Sequence, residues 1–148
     1  MSDHVVQLMI KDPYMTVSQA KRTQILFDLQ NIVNADRIEV HQSDNPVFVD
    51  CGGDLSEIIC PHCGSEIPIT WWSDEMTRLY EHRFKELISV VPCCKTKQSL
   101  SDLSYHAPCG FACCYFSIWN PSCELDDEDK ATIGKIFGCS IQIVNCRY

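Results

Sequence analysis

The stretch Cys60-Pro61-His62-Cys63-Gly64 decides how the middle of this chain folds, together with the later stretch Pro92-Cys93-Cys94. Two cysteines separated by two residues and followed by glycine form a tight turn that directs both sulfurs towards one point. A tetrahedral Zn²⁺ ion takes four such donors, each at about 2.3 Å. Because a second pair of cysteines supplies the remaining donors, we expect a zinc site with four ligands: Cys60, Cys63, Cys93 and Cys94.

The second half of this site is less regular than the first. Adjacent residues in a strand point to opposite sides, so Cys93 and Cys94 both reach one ion only if the chain turns sharply between them. If one of them does not bind, the fourth donor would be Cys109, His106 or His62. Of these three, Cys109 is the preferred alternative ligand and His106 is the next, whereas His62 is better explained as a solvated residue.

A Cys-x-x-Cys pair can also be a redox centre. Redox pairs usually open a helix, whose dipole lowers the thiol pKa. Here Ile67, Ile69 and Trp71 follow at alternate positions, which predicts a strand and favours metal over redox chemistry. Because four thiolates leave no position for water, we expect a structural zinc ion without catalytic chemistry.

The segments on either side of this region each follow the order strand, helix, strand. The order βαβ–βαβ is typical of the ferredoxin-like pattern, an antiparallel sheet with two helices on one face. We therefore predict a single α+β domain in which residues 1–51 and 109–148 are the halves of one sheet, and residues 52–108 are an inserted zinc-ribbon-like module. The predicted outer strands are 5–10, 37–42, 111–119 and 140–146. One predicted outer helix begins at Thr16 or Ser18 and ends at Val33, and the other spans 125–137.

Further elements are predicted around the cysteines. A turn at 43–46 precedes a short strand at 47–50, which Gly52-Gly53 would stop. Strands are expected on both sides of the first cysteine pair, and then a helix that Ser73 caps and that Pro92 ends after Val91. An extended segment is expected near Leu100 to Tyr105. The strand at 111–119 is apolar on both faces and should be central in its sheet.

Charge and cysteine content limit the function classes. The net charge of −8 opposes binding to a phosphate backbone, and no apolar run is long enough to span a membrane. The first residues lack a secretory pattern, so we expect a cytoplasmic protein whose 11 cysteines are metal ligands, reactive thiols or packing residues and not disulfides. Six of these are interpreted as packing residues: Cys51, Cys113, Cys114, Cys123, Cys139 and Cys146.

One resemblance covers about the middle third of the chain. The residues that carry it are Cys60 to Gly64, Val91-Pro92-Cys93-Cys94, Ser99-Leu100-Ser101-Asp102-Leu103, Tyr105 and Gly110-Phe111-Ala112. This set resembles an uncharacterised family of small bacterial proteins with an embedded zinc ribbon. The resemblance implies a fold element and a metal, and no activity. The chain departs from the usual ribbon because its second half has no Cys-x-x-Cys pair.

These observations favour a small zinc-stabilised interaction or regulatory protein that binds a protein partner and has no catalysis of its own. The partner surface would be the acidic run 126–129 or a surface containing Trp71-Trp72 or Trp119. One alternative is an enzyme with a thiol site made of Cys109 and His106. A second alternative is a nucleic-acid-binding zinc ribbon, which the charge disfavours.

Overall fold

The computed structural model describes residues 3–50 and 55–148, which form a mixed α+β fold. Within these residues no helix is long and apolar enough to cross a membrane. A single 3₁₀ turn at Leu100–Asp102 lies between the fifth and sixth strands. In chain order the elements are β1 (His4–Ile10), α1 (Gln19–Ile32), β2 (Arg37–Asp50), β3 (Ile58–Ile59), α2 (Ile69–Tyr80), β4 (Ile88–Val90), β5 (Lys97–Ser99), β6 (Ser104–Tyr105), β7 (Cys109–Trp119), α3 (Asp127–Phe137) and β8 (Ile141–Arg147).

The long strands form one four-stranded sheet in the order β2-β7-β1-β8, and every neighbouring pair is antiparallel. Strand β7 lies between β2 and β1, so the prediction of a central strand there is confirmed. Its side chains are buried on both faces, as the absence of polar alternation predicted. The short strands form two separate ribbons, β3 with β6 and β4 with β5.

Both α1 and α3 pack on one face of this sheet. Leu29 of α1 and Ile133 of α3 are fully buried against the side chains of β1 and β7. Phe116 of β7 is also fully buried, and its ring meets that of Phe137 edge-on with centroids 5.1 Å apart. Burial of this apolar surface is the main favourable term that holds the helices on the sheet.

The ends of the outer helices follow the signals in the sequence. The side chain of Ser18 accepts a hydrogen bond from the Lys21 backbone N–H at the start of α1. At the start of α3, Asp126 and Asp129 form a reciprocal capping box. Gly138 ends α3 with φ 69°, a left-handed conformation that glycine adopts without a Cβ penalty.

The predicted turn at 43–46 does not end the second strand. Strand β2 runs from Arg37 to Asp50 with a register shift between Gln42 and Val47. After the shift Val47 pairs with Ala112, on the same partner strand β7. The turn residues are therefore absorbed as a large bulge, because β7 is long enough to pair with both parts of β2.

The predictions for the region after the first cysteine pair were wrong in three respects, one of which is the helix cap: α2 has Pro68 at its N-cap, so Ser73 lies inside the helix. The expected strand at 66–71 is reduced to one bridge between Glu66 and Ile59, and α2 begins at Ile69 after Pro68. The helix that was expected to reach Val91 ends at Tyr80. Phe84, Leu87 and Val91 beyond it do become buried, but they lie in the turn after α2 and on either side of β4, so their helix-like spacing was misleading.

A second core lies beneath α2 and the short ribbons. Its buried side chains come from residues 58–103 together with Phe111 of β7. The ring of Phe48 in β2 contacts that of Phe111 at a tilt and that of Trp72 edge-on, with centroid distances of 5.1 and 5.6 Å. This core therefore packs on the ends of β2 and β7, and the sheet supports the cysteine-rich region.

The remaining cysteines have different environments. Cys113 and Cys114 are buried in β7, in agreement with a packing role, whereas Cys123 is exposed. Cys146 is fully buried in a core cluster, in agreement with a packing role, but it is disulfide-bonded, so the expectation of no disulfides was wrong. The predicted strand stop at Gly52-Gly53, the packing role of Cys51 and the boundary at residues 51 and 52 lie outside the described residues.

Candidate metal centre

Four cysteine sulfurs meet at one point of the structure. The Sγ atoms of Cys60, Cys63, Cys93 and Cys94 all lie within 4.8 Å of one another. Those of Cys60 and Cys94 are 3.9 Å apart. Sulfurs bound tetrahedrally at about 2.3 Å from a metal ion are about 3.8 Å apart, so the cluster is close to the size of a metal site. The predicted four residues are the ones brought together, and Cys109, His106 and His62 are not in the cluster.

Two turns of the same backbone conformation hold these sulfurs. In the first turn the Gly64 N–H donates to the carbonyl of Cys60 at 2.9 Å, and the Cys60 N–H donates to Ser65. In the second turn the Lys95 N–H donates to the carbonyl of Val91 at 3.1 Å, with the equivalent second bond between Val91 and Thr96.

The residue that ends each turn has a positive φ, 75° at Gly64 and 60° at Lys95. Each turn also has a proline at its second position, Pro61 or Pro92. The two halves of the site are therefore two copies of one backbone turn.

Matching the turns position by position identifies the roles of the cysteines. Cys94 corresponds to Cys63, and both are third after the first residue of the turn. Val91 corresponds to Cys60, and both side chains are fully buried. Cys93 therefore occupies the position of exposed His62. The sequence contains a signal for this match. The stretch Val91-Pro92-Cys93-Cys94-Lys95 agrees with Cys60-Pro61-His62-Cys63-Gly64 at the proline and at the last cysteine. The lack of a second Cys-x-x-Cys pair concealed the correspondence between the two turns.

The four thiols differ in exposure and in their hydrogen bonds. Cys60 is buried, Cys94 is half-buried, and Cys63 and Cys93 are exposed. The side-chain amide of Gln98 donates to the Cys60 sulfur at 3.1 Å. The hydroxyl of Thr96 lies 3.1 Å from the Cys94 sulfur. Donors of this kind stabilise thiolates and orient them towards a bound ion.

Two thiols of the cluster, Cys60 and Cys93, have pKa values shifted in opposite directions. Burial raises the pKa of Cys60, but hydrogen bonds from the backbone N–H groups of Cys63 and His62 and from Gln98 outweigh it and lower the pKa to about 6. Burial and hydrogen bonds with the neighbouring cysteines raise the pKa of Cys93 to about 12. The hydrogen bonds to Cys60 thus favour its thiolate, whereas the surroundings of Cys93 favour its protonated form.

This arrangement is chemically suited to a metal ion. The four cysteines are free thiols in the structure, and soft thiolate donors in a compact group favour Zn²⁺ and similar ions. The pair Cys60-x-x-Cys63 lies in a turn and not at a helix start, since α2 begins only at Ile69. The expected strand after the pair was wrong, but the site still lacks the helix dipole that activates redox pairs.

Cys109 and His106, the residues of the alternative thiol site, have surroundings that do not activate them. Burial raises the pKa of Cys109 to about 11, with a further contribution from the charge of Asp50, so the thiol is protonated near neutral pH. His106 is exposed, and its Nδ1 atom lies 2.9 Å from a carboxylate oxygen of Glu57. These environments are unfavourable for a nucleophilic thiol with a histidine base.

The tryptophans and acids considered as partner surfaces have structural contacts. Trp72 is half-buried in α2, and its indole N–H donates to the hydroxyl of Tyr105 at 3.0 Å. Trp119 is half-buried at the end of β7, with the guanidinium of Arg37 3.9 Å from its ring centroid. In the acidic run, Asp126 and Asp129 cap α3, as expected for a helix start.

Comparisons with known proteins leave the site to be interpreted from its own geometry. No protein-family model matches the chain, and no curated protein or solved structure matches it significantly.

Proposed function

We propose that this chain is a zinc-stabilised interaction or regulatory protein that binds a protein partner and performs no catalysis of its own. The observation that carries the proposal is the convergence of four cysteine sulfurs within 4.8 Å, contributed by two matching turns. A site with four thiolates is closed to water and therefore structural. Cys60, Cys63, Cys93 and Cys94 would bind the ion.

The proposal includes the architecture around the zinc site. The strand order β2-β7-β1-β8, with α1 and α3 on one face, supports a ferredoxin-like arrangement of the outer segments. The separate core of residues 58–103 supports a zinc-ribbon-like module inserted between its halves. The zinc ion would hold together two ribbons of only two or three residues per strand, which are too short for independent stability.

The exposed surface next to the cysteines favours a protein partner. Strand β4 pairs only with β5 among the described residues, and its outward side chains Ile88 and Val90 are 51% and 49% exposed. Ser89 between them is buried and bonds to Glu75 of α2 at 2.7 Å, which holds the strand in place. A rigid strand with one free edge and two exposed aliphatic side chains is suited to pairing with another protein.

Metal content and hydrogen exchange test the structural role of zinc. The purified protein should contain one Zn²⁺ per chain, measured by elemental analysis. After removal of the ion with a chelator, peptides from residues 55–108 should lose hydrogen-exchange protection, while those from β1, α1 and β8 should keep most of theirs. Absence of the ion from the purified protein, or unchanged protection after its complete removal, would contradict the proposal.

The partner surface can be tested by affinity capture with matched variants. A partner should bind the wild-type protein, and the Ile88→Ser/Val90→Ser variant should lose it. Phe27→Ser is the control, because Phe27 is 59% exposed on α1 and lies outside the second core. Binding that all three proteins retain would place the partner elsewhere, for example on the acidic start of α3. If none of the three proteins captures a partner, the proposed role is contradicted.

A further inference from the structure

Cys93 holds an unusual place in the cluster. In the first turn both sulfurs come from the first and fourth positions, Cys60 and Cys63. In the second turn the first position is Val91, which is fully buried, and the fourth is Cys94. The fourth sulfur comes from Cys93 at the third position, where the first turn has a residue exposed to solvent.

The two buried or half-buried sulfurs of the cluster have hydrogen-bond partners outside it, whereas Cys93 is exposed, as is Cys63. The Cys60 sulfur accepts from Gln98, and the Cys94 sulfur lies beside the Thr96 hydroxyl. Cys93 is exposed, and among the described residues the hydrogen-bond partners of its sulfur are the other thiols of the cluster. Among the described residues, neither exposed sulfur has an oriented donor outside the cluster, and of the two only Cys93 departs from the pattern of the first turn.

Adjacent cysteines are a poor chelating pair, because successive side chains leave the backbone in different directions. Cys94 occupies the position equivalent to Cys63, so Cys93 is the ligand that the first turn does not match. The exposed side of the cluster, where Cys93 lies, is the side from which a ligand in solution can approach.

Resting on the zinc site proposed above, we propose that Cys93 is an exchangeable ligand, and that the position it leaves accepts a thiolate from outside the chain. Cys60, Cys63 and Cys94 keep the ion when Cys93 dissociates. The exchange breaks one metal–sulfur bond and forms another: the incoming thiol releases its proton to water, and the Cys93 thiolate takes one up. A soft thiolate is the class of ligand that such an ion prefers.

Metal affinity of single variants is the first test. The full-length protein is loaded with Co²⁺, whose visible spectrum reports tetrahedral coordination and thiolate donors, and affinity is measured by chelator competition. Cys93→Ala should weaken binding about tenfold, whereas Cys60→Ala should weaken it about a thousandfold or more. Equal losses in the two variants would overturn the inference.

An added ligand provides the second test. The probe 2-mercaptoethanol, added to Co²⁺-loaded Cys93→Ala, should restore the thiolate-to-cobalt charge-transfer intensity of the wild type. When 2-mercaptoethanol is added, ligand exchange at the metal should be faster in the wild-type protein than in the Val91→Cys/Cys93→Ala variant. This variant rebuilds a regular Cys-x-x-Cys turn. No spectral change in Cys93→Ala would overturn the inference, even if the double variant failed to fold.

The two proposals fail in different ways. Wild-type protein that binds neither Zn²⁺ nor Co²⁺ would contradict the zinc site itself. Wild-type protein that binds the ion, while Cys93→Ala binds it no better than Cys60→Ala, would leave the structural site intact and contradict only the exchangeable ligand.

Discussion

The sulfurs of Cys60 and Cys94 lie 3.9 Å apart, although 34 residues separate them in the chain. The contact joins the turn after β3 to the turn after β4. Gln98 lies beside it and donates from its side-chain amide to both Cys60 and the hydroxyl of Thr96. One polar side chain thus bonds to a thiol of one turn and to a residue of the other.

We expect Gln98→Ala to reduce metal affinity by about 10- to 100-fold, because an oriented donor to a ligand sulfur is lost. The measurement is competition with a chelator at fixed pH. Gln30→Ala is the matched control, since Gln30 is exposed on α1, away from the cysteines. Equal affinities in the two variants would show that the hydrogen bond to Cys60 does not support the site.

We expect Asp126→Ala to lower the free energy of unfolding by about 1 kcal/mol, because the backbone N–H of Asp129 loses its capping acceptor. Asp127→Ala removes an acid from the same helical turn without removing the cap, and should cost only about 0.3–1 kcal/mol. Urea unfolding monitored by circular dichroism measures both variants. A larger loss for Asp127→Ala would contradict the capping interpretation.

We expect Phe116→Ala to lower the free energy of unfolding by about 3–5 kcal/mol, because the buried ring leaves a cavity between β7 and α3. Phe27→Ala removes the same side chain from an exposed position on α1 and should change stability by less than about 0.5 kcal/mol. Thermal or urea unfolding of the two variants provides the comparison, and similar losses would refute the assignment of the core.

We expect Cys109 to resist alkylation by iodoacetamide near neutral pH in the metal-loaded protein. Its pKa is raised to about 11 by burial, so the reactive thiolate forms only as the pH approaches that value. Exposed Cys123 should be labelled first. Mass spectrometry of peptides at pH 7 and at higher pH identifies the labelled residues. Rapid labelling of Cys109 at pH 7 would instead favour the thiol-enzyme alternative.

Local patterns predicted the outer elements well. The spacing of apolar residues located α1 and α3, and Ser18, Asp126 and Gly138 mark helix ends by interactions within one turn. The run at 111–119 is apolar on both faces and therefore predicted a central strand. A strand that is covered on both faces of its sheet needs apolar side chains on both sides, so its own residues carry the signal. Such signals need no knowledge of distant parts of the chain.

Around the cysteines, local patterns were less informative. The spacing of Phe84 and Leu87 continued the helical pattern of α2, yet both residues are buried beyond its end at Tyr80. Arg83 and Phe84 have positive φ values of 54° and 55°, which no local signal predicted. The chain reverses there because the second core and the pairing of β4 with β5 outweigh helix continuation.

The sequence by itself predicted the two cysteine-bearing turns and their metal chemistry, because each short motif identifies its own turn, but it left the fourth donor open. Only the tertiary structure decided that Val91 takes the place of a cysteine in the second turn and that Cys93 completes the cluster from an exposed position. It also decided that β2 continues through its bulge to pair again with β7. The physical reason is the same in each case: these outcomes depend on partners far away in the chain, whereas a motif describes only its own few residues.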